Sequence, residues 1–385
     1  MSAEPKIHIP FNKPPLVGDE LVYIQQAVNN GHISGDGDFT KACHEFLQKE
    51  LGVPKALLTT SCTHALEMTA LLLELKLGDE VIIPSFTFVS TVNAFVLRGA
   101  RPVFIDIRPD TLNLDETRLE GLITDKTRAI VVVHYAGVAC EMQPILEIAG
   151  RHNIPVIEDN AHGLFARYHD RLLGTIGSLA TQSFHETKNF TCGEGGALLI
   201  NDPQYFTRAE YIREKGTNRS RFFRGQVDKY TWIDVGSSYL PSEMLAGYLL
   251  AQFEKRDYIQ NRRRQIWEFY YEQLNKLSKE HDVRLPNVPP YCDQPYHMFY
   301  MLVPDIQTRQ ALISFLRANG ILAVFHYQPL HLSKMGEQFN GKRSDCPVTE
   351  SVSDRLLRLP FYIDLTETEQ TQVIQTIYQF FDQRV

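Results

Sequence analysis

At 385 residues, 43% hydrophobic and 22% charged, the chain has the make-up of a globular protein with roughly two to three domains' length and a large core to bury. A net charge of −7 without a long basic run argues against nucleic-acid binding and leaves only local clusters able to hold a small anion. The six cysteines include no C-x-x-C pair, so neither a zinc ribbon nor a disulfide framework is expected, and no metal site is expected. "MSAEPKIHIPF" lacks an apolar signal-peptide core and the longest apolar runs are far below membrane-spanning length, so a cytoplasmic protein without a membrane contact is expected.

In chain order, "KALLTT" reads as a strand and "THALEMTALLLEL" as a helix. Then come "EVIIP" (strand), "TFVSTVNAFVLRG" (helix, ended by Gly99), "RPVFID" (strand) and "DETRLEGLI" (helix). "RAIVVVHY" (strand), "MQPILEIAGRHN" (helix), "IPVIED", "LATQSF" and "GALLIND" (strands) complete the alternation. Such alternation predicts an α/β domain with a mostly parallel sheet between helices, and ligands beyond the carboxyl ends of the strands. From about residue 250 the texture changes. "YLLAQFEKRDYIQNRRRQIWEFYYEQLNKL" reads as one or two long helices, followed by "HMFYMLV" (strand), "RQALISFLRANG" (helix), "ILAVFHY" (strand) and "ETEQTQVIQTIYQFFDQ" (helix). The expected division is a large domain over residues 1–250, whose N-terminal segment can pack on the second body, and a smaller α+β domain over 251–385.

Four features fall at strand ends of the expected large sheet. "TTSCTHALEM" passes from strand to helix through Ser61, Cys62 and Thr63, so that a helix N-terminus there is either a phosphate site or a plain Ser/Thr cap. "IPVIEDNAHG" ends a buried strand in Glu158 and Asp159, as a functional carboxylate or a turn cap. Phe86 and Phe88 follow another strand end and are either core or a platform for a flat ligand. In "SFHETKNFTCGEGGALLIND", Lys188 lies between a strand and a glycine-rich exit, either as an ion-pair partner or as a reactive amine. Together a phosphate site, an anion for a ring nitrogen, an aromatic platform and an amine for an aldehyde describe one ligand, pyridoxal 5′-phosphate.

"SFHETKN", "IEDNAHG", "TTSCTHALEM", "IIPSFTFVST" and "FIDIRPDTLNLD" resemble the nucleotide-sugar aminotransferases of the DegT/DnrJ/EryC1/StrS family, and the resemblance runs over nearly the whole chain. It implies the pyridoxal-phosphate aminotransferase fold of type I, aspartate-aminotransferase-like, with a seven-stranded sheet. It implies that Lys188 is the Schiff-base lysine and proton shuttle, that Asp159 pairs with the ring nitrogen and that His162 lies by the phenolic oxygen. Phe88 matches the position that stacks on the ring, Cys62 and Thr63 supply backbone N–H groups and Ser183 a hydroxyl to the phosphate, and His185 is a candidate substrate contact. "VHYAGVACEM", "REKGTNRSRFFRGQVDKYTW" and "DVGSSYL" are similar to one subfamily in particular, whose substrates are L-glutamate and a nucleotide-linked 4-keto-6-deoxy sugar. A homodimer with shared active sites is implied as well.

Three departures from the family pattern stand out. Asn160 replaces an alanine beside the cofactor. Cys62 replaces the glycine of the phosphate turn and asks for ordinary φ. Ser238 stands where many members place an asparagine that reaches the neighbouring subunit's phosphate. The segment 215–229, with Lys215, Arg219, Arg221, Arg224 and Lys229, reads as a solvated basic loop or as a pyrophosphate clamp. "FHYQPLH", with His326, Tyr327 and His331, reads as part of the site entrance or as core. A sugar dehydratase of the family would carry histidine at Lys188, a non-catalytic relative would lack Lys188 or Asp159, and a Rossmann dehydrogenase would need G-x-G-x-x-G, which "TTSCTHA" lacks. The nucleotide, the ketone position and the amine's stereochemistry are left open by the sequence.

Overall fold

A computed structural model describes residues 6–383. The first five residues of the N-terminal stretch read above lie outside the described residues.

The strands are β1 (Lys55–Thr59), β2 (Glu80–Pro84), β3 (Arg101–Ile105), β4 (Thr127–Val133) and β5 (Val156–Asp159), a short hairpin β6 (Arg167–Tyr168) and β7 (Arg171–Leu172), then β8 (Leu179–Ser183) and β9 (Gly196–Ile200). Seven of them form one sheet in the order β1-β9-β8-β5-β4-β2-β3. β9 alone runs antiparallel to its neighbours; the pairs from β8 through to β3 are parallel. The carboxyl ends of β1, β2, β4, β5 and β8 therefore open on one edge, together with the amino end of β9.

The strands read as near-continuous apolar runs because helices cover both faces. The two-residue period of a strand sends Val81, Ile83, Val131 and Ile157 to the face covered by the helices Cys62–Leu72 and Val89–Val96. It sends Ile82, Ile130, Val132 and Val156 to the face covered by Met142–Arg151, and Ala56, Leu58 and Leu199 on the same side to Asp38–Leu51 and Glu243–Glu254.

A second body begins with the helix Arg256–Glu280. After β10 (Cys292–Asp293), which pairs with β6, come β11 (Tyr300–Leu302), β12 (Val324–Phe325) and β13 (Leu356–Arg358), an antiparallel sheet in the order β11-β13-β12. Its own apolar cluster gathers Tyr270, Phe299, Leu316, Leu357 and Ile377, and Ile9 from the N-terminal segment joins it through a bridge to Ile321.

Two expectations change. The stretch "DETRLEGLI" is not one helix but two 3-10 turns, Glu116–Arg118 and Glu120–Leu122. Asp115 caps the first through Thr117, Gly121 disfavours an α-helix, and only Leu119 supplies a fully buried apolar side chain. The strand expected over "ILAVFHY" shrinks to Val324–Phe325. Two helices, Glu20–Asn29 and Asp38–Leu51, lie where the pattern gave no element. The second is capped from across the molecule: the Glu243 carboxylate accepts from Gly37, Phe39 and Thr40 backbone N–H groups at 3.0, 2.8 and 3.1 Å. That cap lies some two hundred residues away, so no local signal announces it.

Candidate active site

Beyond β8 the chain makes a compact loop before it returns as β9. Phe184 N–H donates to Gly195 O (2.8 Å), Glu186 N–H to Gly193 O (2.9 Å) and Lys188 N–H to His185 O (2.9 Å). Gly193 adopts φ +86°, which a side chain would resist. Asn12 Nδ2 donates to Glu186 O at 3.0 Å, tying the loop to the N-terminal segment. The loop sets Lys188 in a cavity of about 480 Å³ at the carboxyl edge of the sheet. Burial lowers the Lys188 amine from its ordinary value near 10.5 to about 8, against the opposing pull of Cys62 and Asp159.

Asp159, at the end of β5, lines the same cavity. Burial raises its carboxyl, while Thr91 Oγ1 (2.7 Å) and Ala161 N–H (3.2 Å) donate to its two oxygens and hold it down. No cation lies within ion-pair distance of it among the described residues. It is a buried anion in want of a positive partner, as a protonated pyridine nitrogen would be.

Its neighbour Glu158 has a different task. It accepts from Gly174, Ile176 and Gly177 N–H (2.8, 2.7 and 2.7 Å) and pairs with His134 Nε2 at 3.0 Å. His134 Nδ1 accepts from Cys140 N–H, so the ring proton sits on Nε2 and points at Glu158. Burial pushes Glu158 up, but His134 and the N–H groups more than offset it and its carboxyl lies below the ordinary range.

Opposite, the helix Cys62–Leu72 begins under the cap of Ser61, whose Oγ accepts from His64 N–H at 3.1 Å. Its first N–H groups, those of Cys62 and Thr63, have no acceptor inside the helix. Cys62 takes ordinary helical backbone, as its side chain requires. Ser183, at the end of β8, lines the same end of the cavity. Phe88 stands at the wall, 57% exposed, where a flat ligand would cover it. His162 is buried and its ring is neutral, its pKa lowered well below the ordinary value by burial and then by the Lys188 charge. Its Nδ1 accepts from Ala136 N–H at 3.3 Å, which leaves the proton on Nε2 as a donor. His185 lines the cavity beside Glu194, 3.7 Å from its Nε2. His326 and Tyr327 line it from the second body, and Tyr135 OH meets His326 Nδ1 at 3.0 Å. His331, in contrast, is core: fully buried between Ser85 Oγ (2.6 Å) and Glu350 (3.1 Å).

The basic segment is elsewhere. Lys215, Arg219, Arg224 and Ser238 line a second cavity of about 730 Å³ with Asp36 and Arg213, and none of them lines the Lys188 cavity of the same chain. Arg224 is already bidentate on Glu210 (3.1 and 2.7 Å), and Arg219 faces Glu214 at 3.5 Å. Lys229 is exposed and lines neither cavity. Several residues that line the Lys188 cavity went unread in the sequence, among them Thr91, which donates to Asp159; two more are His297, stacked on His162 at 4.3 Å, and Arg358, at the end of β13. The signals for the last two were a histidine entering the strand "HMFYMLV" and an arginine closing the apolar run "LLRLP".

A cavity with a low-pKa buried lysine, a buried unpaired carboxylate, a helix N-terminus and an aromatic wall fits a phosphorylated pyridine aldehyde residue for residue. Comparison with known proteins points the same way. A sequence profile described as the DegT/DnrJ/EryC1/StrS aminotransferase family matches residues 16–378. The chain is 32% identical over 348 residues to the uncharacterised protein MJ1066 of Methanocaldococcus jannaschii, covering 89% of each. In fold it is similar to DesV of S. venezuelae, with a TM-score of 0.85, 29% identity and 94% of each chain covered. It is also similar in fold to the PLP form of Spr1654 from Streptococcus pneumoniae, with a TM-score of 0.90 at 23% identity over 98% of this chain and 99% of that one.

Proposed function

The chain belongs to the DegT/DnrJ/EryC1/StrS aminotransferase family, and we propose that it moves the amino group of L-glutamate to the 4-keto carbon of a nucleotide-linked 4-keto-6-deoxy sugar. The pair we assign is dTDP-4-dehydro-6-deoxy-D-glucose and dTDP-4-amino-4,6-dideoxy-D-galactose, made for a cell-surface polysaccharide. The cofactor is pyridoxal 5′-phosphate, whose ring, when bound, takes up the electrons left by a departing α-proton.

The observation that carries the reading is Lys188: a buried amine at about 8, in one cavity with Asp159. An amine in that range is largely protonated at neutral pH yet gives up its proton readily, so Lys188 Nζ can hold the cofactor's carbonyl carbon and, once displaced, carry the proton from the donor's α-carbon. Asp159 would set its carboxylate against the ring nitrogen. His162 Nε2–H would donate to the phenolic oxygen, Phe88 would cover one ring face, and Ser183 with the N–H groups of Cys62 and Thr63 would hold the phosphate. His185, His326 and Tyr327 border the space left for substrate. The choice of sugar rests on the subfamily segments "VHYAGVACEM" and "DVGSSYL". Ser238 and the basic segment, being absent from their own chain's Lys188 cavity, are assigned to a partner's site in a homodimer.

The test is direct. The protein is incubated with L-glutamate and a panel of 4-keto and 3-keto sugars on dTDP, UDP and GDP, and the amino sugar is identified by NMR. Selective turnover of the dTDP-4-keto sugar with an axial 4-amine is expected; preference for a 3-keto or a UDP- or GDP-linked sugar moves the assignment within the family. Borohydride followed by peptide mapping should place the cofactor on Lys188, and a label on another lysine sinks the site.

A further inference from the structure

We infer that Asn189 and His297 are positioning residues for His162, holding its ring so that Nε2–H meets the cofactor's phenolic oxygen. The inference rests on the aminotransferase reading above and names what aims one of its groups.

His162 is loosely held by its own hydrogen bond. Ala136 N–H reaches its Nδ1 at 3.3 Å, and no other hydrogen bond fixes the ring among the described residues. One long contact leaves a ring able to tip about it. The flat face is covered by His297, with ring centroids 4.3 Å apart and planes 18° from parallel. Tyr135 and His326 lie farther off, at 6.0 and 6.3 Å and at steeper angles. The plane of the His162 ring is therefore set by His297.

His297 is itself fixed at both ends. Its Nδ1 lies 2.8 Å from Asn189 Oδ1, while Asn189 Nδ2 lies 2.7 Å from Pro295 O and 3.3 Å from Gln260 Oε1. A backbone carbonyl only accepts, so the amide nitrogen of Asn189 must face Pro295 and its oxygen must face His297. His297 Nδ1 therefore carries the hydrogen. The ring is neutral: burial first, and then the nearby His162, Lys188, Arg263 and Arg358, lower its pKa well below the ordinary value. The backbone is held as firmly. Tyr296 has φ +52°, uncommon for a side-chain-bearing residue, and Arg263 donates through Nε to its carbonyl at 2.9 Å and through a terminal nitrogen to His297 O at 2.5 Å.

These bonds gather distant parts of the chain. Asn189 follows Lys188 in the lysine loop, Gln260 and Arg263 lie on the helix Arg256–Glu280, and His162 follows β5. Asn189 is buried and does not line the Lys188 cavity, and both ends of its amide are spent on protein. Its part is to hold and not to touch the ligand. A donor on the phenolic oxygen favours that oxygen's charged form and loosens the proton it shares with the nitrogen of the lysine linkage. Losing the donor should therefore raise the pH at which the linkage gives up its proton.

The test follows the visible absorbance of the protein loaded with pyridoxal 5′-phosphate as pH is varied. His162→Ala, which removes the donor itself, should raise the midpoint by about one pH unit, the worth of one hydrogen bond. His297→Ala and Asn189→Ala should each produce most of the same shift. In a His162→Ala background His297→Ala should add nothing, because it acts only through the ring already removed. A wild-type midpoint in His297→Ala, beside a shifted one in His162→Ala, sinks the positioning role alone. The same shift added on top of His162→Ala also overturns it, since His297 would then act on the cofactor directly. If His297→Ala does not take up cofactor, Asn189→Ala decides by the same pair of titrations. A midpoint that His162→Ala leaves in place would remove His162 from the phenolic oxygen, and the inference with it. Wild-type protein that forms no visible band with the cofactor would sink the aminotransferase reading itself.

Discussion

Lys188 and Asp159 are each costly for the fold, in opposite senses of charge. With its amine lowered from near 10.5 to about 8 by burial, Lys188 binds its proton less tightly in the folded chain than in the unfolded one. Its destabilising contribution is therefore full below pH 8 and fades as pH rises towards its unfolded pKa, on the order of 3 kcal/mol in all. In the apoprotein, Lys188→Met should thus raise stability at pH 7, and the gain should shrink towards pH 10.5, as read by urea unfolding of the two proteins side by side. A gain that does not change with pH would mean that packing and not charge is at issue. Asp159→Asn removes the anion while keeping the shape. It should bind cofactor and leave the fold intact yet lose turnover by at least about 100-fold, since a neutral amide cannot balance a ring cation. Near-normal turnover would free Asp159 from that role.

At the scale of elements, the site depends on how closely β9 approaches the helix Cys62–Leu72. A Cβ on Gly196 would sit 2.4 Å from Cys62 N and 2.6 Å from Ser61 O, both backbone atoms that cannot rotate aside. Gly196→Ala should push the helix N-terminus away from Ser183 and weaken cofactor affinity by about tenfold or more, measured by titrating the apoprotein and following absorbance. Wild-type affinity would show that the turn tolerates the shift. The loop Gly174–Gly177, which leads into β8, hangs on Glu158 by three N–H bonds. Glu158→Ala should strand those donors and His134 and cost about 3–5 kcal/mol in urea unfolding. A loss below about 1 kcal/mol would show that water replaces the carboxylate.

At the scale of the molecule, we propose that the two bodies are the two expected domains, divided near Lys255, between the helices Glu243–Glu254 and Arg256–Glu280. We further propose the homodimer. Phe223, Trp232 and Val235 are 69%, 76% and 48% exposed around the basic segment, and Leu21 and Val28 on the first helix are 64% and 49% exposed. Apolar surface of that kind suits an obligate interface of roughly 2,000 Å² or more. A two-fold axis would bring each chain's second cavity to bear on its partner, completing two sites at once. Lys188→Ala chains refolded together with chains disabled at Arg219 or Lys229 should regain activity, because a mixed dimer holds one intact site. Mixed dimers that stay inactive would return those residues to their own chain, and a monomer in sedimentation would end the proposal.

The large sheet was legible in the sequence because its strands are short apolar runs between punctuated helices, and burial on both faces writes that pattern directly. That Lys188, Asp159, Cys62 and Ser183 would fall together around one cavity was legible because each lies within a residue or a few of such a strand end, where ligands bind in sheets of this kind. What the sequence could not reveal depends on contacts between distant segments. The helix Asp38–Leu51 owes its cap to Glu243, and the tautomer of His162 is set by the Ala136 N–H. Phe11 meets Arg358 only after the N-terminal segment has packed on the second body. Whether a basic residue is free or already neutralised was equally hidden: Arg224 is held by Glu210, while Arg358 has no anion. Local pattern records what a residue does with its near neighbours in the chain. Partners far along the chain are chosen by packing, and only the tertiary structure decided them.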